Sequence, residues 1–127
     1  LGVAIQLTNV LRDVGADARD YDRVYLPLAD LAACGCDLED VRKGRLTAPY
    51  KDAVRLQIAR ARDLYASARL AIPDLPKASR LPVAAIVELL ESIVDELEAR
   101  DCDSLSGKLR PSTVAVARAV VRAFLRS

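Results

Sequence analysis

Apolar side chains recur at three- and four-residue steps from the start of the chain. Val3, Leu7, Val10, Val14 and Ala18 fall on one side of a helix predicted from residue 1 to about residue 19. Gly15 is its weak point, since glycine inside a helix costs about 1 kcal/mol relative to alanine. A polar stretch, DYDRVYLP, carries Pro27 and reads as a loop. Asp37, with Asp40 three residues on, reads as the N-cap of a short helix that Gly44 stops. A long helix follows from about Pro49 to Ala71, with Val54, Ile58, Ala61, Tyr65 and Ala68 as its stripe and Pro73 and Pro76 as its end. The next runs from Pro82 to about Arg100, with Val83, Ile86, Leu90, Ile93 and Leu97 inward and Glu88, Glu91, Asp95 and Glu98 on another face. Ser112 caps a last helix that extends to about Arg126.

No stretch alternates with the two-residue period of a strand, and no repeat or low-complexity tract interrupts the pattern. The fold class is therefore all-α, an antiparallel helical bundle joined by short loops. The 127 residues suffice for one core and are short for two. Basic and acidic side chains nearly cancel, leaving a formal net charge of +1, so no overall field points to nucleic acid as a partner. There is no histidine, which removes Ser-His and Cys-His nucleophilic chemistry and the usual general base near neutral pH. Cys34, Cys36 and Cys102 form no CxxC pair, so they suit a reducing compartment and no structural zinc site. Cys34 and Cys36 read as small apolar fillers. No apolar run approaches the roughly twenty residues of a membrane span. The chain opens on Leu1, already in helical pattern, which suggests a piece of something longer.

Chemistry concentrates in QLTNVLRDVGADAR, residues 6–19. At about 100° per residue, Gly2, Gln6, Asn9, Asp13 and Asp17 fall within a strip roughly 80° wide, opposite much of the apolar side. Two carboxylates one turn apart repel by a few tenths of a kcal/mol when both are ionised, and a divalent cation reverses that sign. Asn9, Asp13 and Asp17 present hard oxygen ligands that suit Mg²⁺ completed by water and phosphate oxygens. Arg12 and Arg19 flank the strip within reach of a phosphate. A bare Asp-xxx-Asp pair is most often a solvated face, so the residues alone leave both readings open.

The same stretch, followed by RVYLPLADL, RLTAPYKDAVRLQIARAR and ASRLPVAAIVELLESIVDELEARD, resembles the second aspartate-rich motif and the segments after it of the squalene/phytoene synthase family, on the phytoene synthase side. The resemblance covers essentially the whole chain. It implies an isoprenoid synthase bundle of which residues 1–127 form the C-terminal half, the first aspartate-rich motif and half of the cavity lying outside this chain. It also implies head-to-head condensation of two geranylgeranyl diphosphates to phytoene through prephytoene diphosphate, in carotenoid biosynthesis. Asn9, Asp13 and Asp17 would then be Mg²⁺ ligands, with Mn²⁺ as the alternative ion. Arg12 would neutralise leaving-group charge, and Gln6 would line the cavity beside the metal. Gly2 and Ile5 would shape the channel for a prenyl tail, and Arg19 and Tyr25 complete the substrate-binding set. Arg110 resembles a basic position of the family's C-terminal segment and is a candidate for diphosphate contact.

Two departures stand out. The family usually reads RDVGEDAR where this chain has Ala16, and the DYDR loop is longer and more acidic than the usual RRGR-like one. Squalene or dehydrosqualene synthase chemistry, and a non-catalytic assembly module, are the alternatives. Glu91 and Asp95 also lie four apart but fit an ordinary charged face, and Tyr65 fits the core. Arg118, Arg122 and Arg126 recur beside Val114, Ala117, Val121 and Phe124, either as the solvated edge of a packed helix or as a seat for an anionic bilayer surface. The resemblance places the protein in a plastid if it is of plant or algal origin, and otherwise in bacterial cytoplasm at the membrane surface.

Overall fold

A computed structural model describes residues 1–107 and 111–126, so Arg110 lies outside the described residues. Among the described residues six α-helices follow one another: α1 (Gly2–Tyr21), α2 (Leu28–Ala33), α3 (Leu38–Arg42), α4 (Ala48–Ala71), α5 (Lys77–Ala99) and α6 (Thr113–Arg126). A short 3-10 turn, Ile72–Asp74, leads from α4 towards α5. No strand occurs among the described residues. The direction of packing is written in the ion pairs. Arg62 of α4 meets Asp95 and Glu98 of α5, while Arg69, two turns later, meets Glu88 and Glu91, two turns earlier. The two helices are therefore antiparallel, as the sequence predicts. The charged face of α5 is in large part an interhelical ladder rather than a solvated edge.

Local chemistry sets the helix ends. Thr47 accepts the Tyr50 N–H at the start of α4, Asp37 accepts the Glu39 N–H at the start of α3, and Ser112 accepts the Ala115 N–H at the start of α6. Gly44, at φ +69°, takes the left-handed conformation that stops α3. One boundary differs clearly from the sequence reading. Helix α5 begins at Lys77, five residues before Pro82, which sits in its second turn. Pro82 removes one early backbone donor, a loss that does not end the helix. The chain before it stays wound, and the Arg80 guanidinium caps the Leu75 carbonyl at 2.9 Å. Residues 28–33, which carry no strong pattern of their own, form α2 because Leu31 is buried and Asp30 reaches Gln57 and Arg60 of α4.

The buried faces are rotated from those predicted. On α1 the buried positions are Ala4, Thr8, Leu11, Val14, Gly15 and Ala18, while Val3 is 66% exposed and Leu7 and Val10 are half-buried. The face has turned by roughly 70° about the helix axis. Small residues on it let α4 and the segment after α5 approach closely, which apolar periodicity does not register. On α5, Ile86 is exposed while Val87, Val94 and even Glu88 are buried, because α6 covers a second side of the helix. On α6 the contact is made by Ala119 and Ala123, and the predicted apolar side, Val114, Ala117, Val121 and Phe124, faces outward. The central core follows the α4 stripe: Tyr50, Val54, Ile58, Ala61 and Tyr65 are buried against Leu11, Val14, Val87, Val94 and Leu97.

Candidate metal and diphosphate face

The face of α1 opposite its buried side carries the candidate ligands. Gly2 and Gln6 are exposed, and Ile5, Asn9, Arg12, Asp13 and Asp17 are half-buried. Asp13 is gripped in two-point fashion by its neighbour Arg12, Nε to Oδ1 at 2.9 Å and Nη2 to Oδ2 at 3.0 Å. That hydrogen bond is the main reason the Arg12 pKa lies above its ordinary value. The helix ends one turn after Asp17, where the Asp17 carbonyl accepts the backbone N–H groups of Asp22 and Arg23 and Asp22 adopts a left-handed φ of 49°.

What holds this face in position lies behind it. Thr8 Oγ1 donates to the Ala4 carbonyl at 2.9 Å and sits 2.5 Å from the Tyr65 hydroxyl of α4, all buried. Burial pushes the Tyr65 hydroxyl pKa up, so the group stays a neutral hydrogen-bonding partner. Further along, Arg19 donates to the Leu105 carbonyl at 2.9 Å. Gly15 lies against the same residue so closely that a Cβ there would stand 2.6 Å from the Leu105 oxygen. Ser104 hydrogen-bonds the buried Tyr50 hydroxyl, and the Asp103 carboxylate accepts the N–H groups of Leu105 and Ser106. The segment after α5 is thus a buttress fixed to α1 and α4. Thr8, Gly15 and Leu105 escape sequence reading because each acts through one tertiary contact rather than through a pattern.

The remaining sequence candidates are placed as follows. Arg19 flanks the strip, and one of its nitrogens is committed to the buttress. Tyr25 is 53% exposed, and its hydroxyl accepts a hydrogen bond from Arg23. Glu91 and Asp95 bind arginines of α4. Tyr65 is in the core, Cys36 and Cys102 are buried thiols, and Cys34 is half-buried. Among the described residues no three His, Cys, Asp or Glu side chains gather as a metal site. An ion on Asp13 and Asp17 would therefore take its other oxygens from Asn9, water or a ligand. That donor set of carboxylate and amide oxygens fits Mg²⁺, which keeps several waters and binds substrate phosphates, better than it fits a thiol- or imidazole-seeking metal.

The model of one family, squalene/phytoene synthase, matches residues 1–120. The chain belongs to the squalene/phytoene synthase family. Its all-α architecture agrees with that membership. It is similar to the chloroplastic phytoene synthase of an Oncidium hybrid cultivar, 42% identical over 127 residues that cover all of this chain and 31% of the relative. Phytoene synthase 1 of Arabidopsis thaliana is 39% identical over the whole chain and 30% of its own length. Phytoene synthase 1 of Zea mays is 44% identical over 106 residues, 84% of this chain and 26% of the relative. The chain spans less than a third of the length of these relatives.

Proposed function

We propose that this chain supplies one Mg²⁺-diphosphate face of an enzyme that joins two geranylgeranyl diphosphates head to head to phytoene, through prephytoene diphosphate. In this reading residues 1–127 are the C-terminal half of a single isoprenoid synthase domain. The observation that carries it is the Asn9, Asp13 and Asp17 ladder on the outward face of α1, in a chain about 40% identical to phytoene synthases. Mg²⁺, or Mn²⁺ in its place, would supply the positive charge that draws electrons towards a departing diphosphate. The chain's own residues orient and exclude. Asp13 and Asp17, held on a rigid helix, fix where that charge sits. Arg12, whose guanidinium stands against Asp13, is the donor that can hold a diphosphate oxygen bidentately. Ile5 and Gly2, a turn or more up the helix, leave apolar space for a prenyl tail and keep water from a developing carbocation. Ala16 leaves the ligand ladder intact and removes only an adjacent carboxylate. In the DYDR stretch, Asp20 in the last turn of α1 and Asp22 just after the helix lie beyond Asp17, where their charge favours a bound cation and opposes free diphosphate.

By analogy with the relatives named chloroplastic, the site of action is a plastid. No helix among the described residues is long and apolar enough to cross a membrane, and association with a membrane surface would rest on the outward apolar face of α6. The test is binding of a non-hydrolysable geranylgeranyl diphosphate analogue, titrated with and without Mg²⁺. Binding should need the metal and weaken by roughly 100-fold or more in Asp13→Ala, since removal even of a group behind a ligand costs 10- to 100-fold. Metal-independent binding, or an unaffected Asp13→Ala, would remove the catalytic reading and leave a helical interaction module. Preference for a farnesyl analogue would point instead to squalene- or dehydrosqualene-type chemistry.

A further inference from the structure

A second polar constellation lies away from the Asp13 and Asp17 ladder, where α6 crosses α5. Glu88 is only 6% exposed, and its Oε1 accepts from Arg69 at 2.7 Å and from Arg126 at 2.5 Å. Arg69 is also bound by both oxygens of Glu91, so its charge is met. The other two arginines are not so satisfied. Arg126 shares Glu88 with Arg69 and engages only one of its nitrogens there. Arg80 is anchored through Nε to a neutral acceptor, the Leu75 carbonyl, and no carboxylate among the described residues pairs with it. Among the described residues its two terminal nitrogens make no hydrogen bond, which leaves them as a planar fork. Arg69, Arg80 and Arg126 all line one cleft of about 440 Å³, with Ile72, Ala84 and Ala123 as its apolar wall.

We propose that this cleft is a phosphate-binding site, with Arg80 and Arg126 as its donors and Glu88 as the residue that positions Arg126. A guanidinium fork held by its own Nε presents two parallel N–H groups, the geometry that matches a phosphate monoester. Three arginines against Glu88 and Glu91 leave the cleft with one unit of positive charge to be neutralised. The volume and the apolar wall exceed what inorganic phosphate fills, so the phosphate is the head of a larger molecule. The chemistry of α6 favours a lipid as its bearer. The helix contains no acidic residue, Arg118 and Arg122 make no ion pair among the described residues, and Val121, Phe124 and Leu125 are exposed, Phe124 by 67% and Leu125 by 76%. Such a face suits the surface of an anionic bilayer, with a head group reaching the cleft beside it. The site needs no divalent cation and stands independently of the function proposed for α1.

The experiment is arginine footprinting of the protein with phenylglyoxal in EDTA, read residue by residue by mass spectrometry. The probes are inorganic phosphate, phosphatidylcholine vesicles, and the same vesicles containing phosphatidic acid. Modification of Arg80 should slow several-fold while Arg100, away from the cleft, is unaffected. Protection by inorganic phosphate identifies a soluble phosphate ligand, and protection by phosphatidic acid vesicles alone identifies a lipid head group. Either supports the site. No protection, or equal protection by phosphatidylcholine vesicles, overturns it. In parallel, ³¹P line broadening of the effective probe should be lost in Arg80→Gln and kept in Asp13→Ala. The reverse pattern would place the phosphate on α1 and overturn the proposal. The footprint on the unsubstituted protein decides the matter even where Arg80→Gln folds poorly.

Discussion

Replacing Gly15 by alanine sets helix propensity against tertiary contact. In an isolated helix the change stabilises by about 1 kcal/mol. In this protein the added Cβ would lie 2.6 Å from the Leu105 carbonyl oxygen, 2.9 Å from its Cα and 3.0 Å from its carbonyl carbon. All three are backbone atoms, so no side chain can rotate away. Ordinary contact requires the segment to retreat by about 1 Å. That retreat strains the Arg19 bond to the Leu105 carbonyl and the buried Tyr50 to Ser104 pair, and partly uncovers Leu105. Overpacking of this kind costs about 1–3 kcal/mol, and a weakened buried hydrogen bond adds about 1 kcal/mol. Less the propensity gain, the net destabilisation is about 1–3 kcal/mol. In urea, with an m value of about 2 kcal/mol/M, the midpoint should fall by roughly 1 M. Gly2→Ala is the matched control, since a Cβ there meets nothing within 4 Å. Its midpoint should stay level or rise. A Gly15→Ala midpoint equal to or above that of the parent would refute the close packing of the buttress on α1.

Two further predictions concern charge. Glu88→Gln leaves Arg126 without its carboxylate while Arg69 retains Glu91. Because Arg126 is more than half exposed, we expect about 1–3 kcal/mol rather than the larger cost of breaking a fully buried pair. Amide exchange should accelerate in α6 and not in α1, and uniform acceleration would count against a local role. Hydrogen bonds from Arg60 and then Gln57 hold the Asp30 carboxyl below its ordinary pKa, and Lys51 does the same for Asp101. A depressed folded-state pKa contributes stability that is fully present above the unfolded value of about 3.9 and is lost as pH falls through the folded value. The urea midpoint should therefore decline below about pH 4, and Asp30→Asn should show a shallower decline. Identical acid profiles would mean that Asp30 titrates normally.

The sequence alone determined much of this protein because its signals are local. Helices follow from three- and four-residue periodicity, and their ends from Thr47, Asp37, Ser112 and Gly44, each of which acts on backbone within a few residues. The alignment of Asn9, Asp13 and Asp17 is likewise a property of one helix, and family membership is carried by a contiguous motif. Rotation of the helices is another matter. Which side of α1 is buried depends on Ala4, Gly15 and Ala18 letting other backbones come close, and closeness is a property of pairs of elements. The start of α5 before Pro82, the covering of Glu88 by α6 and the outward apolar face of α6 depend likewise on which helix lies beside which. Hydrophobic spacing specifies that a face exists. Packing of small residues, and pairing of charges across elements, decided which face is turned inward.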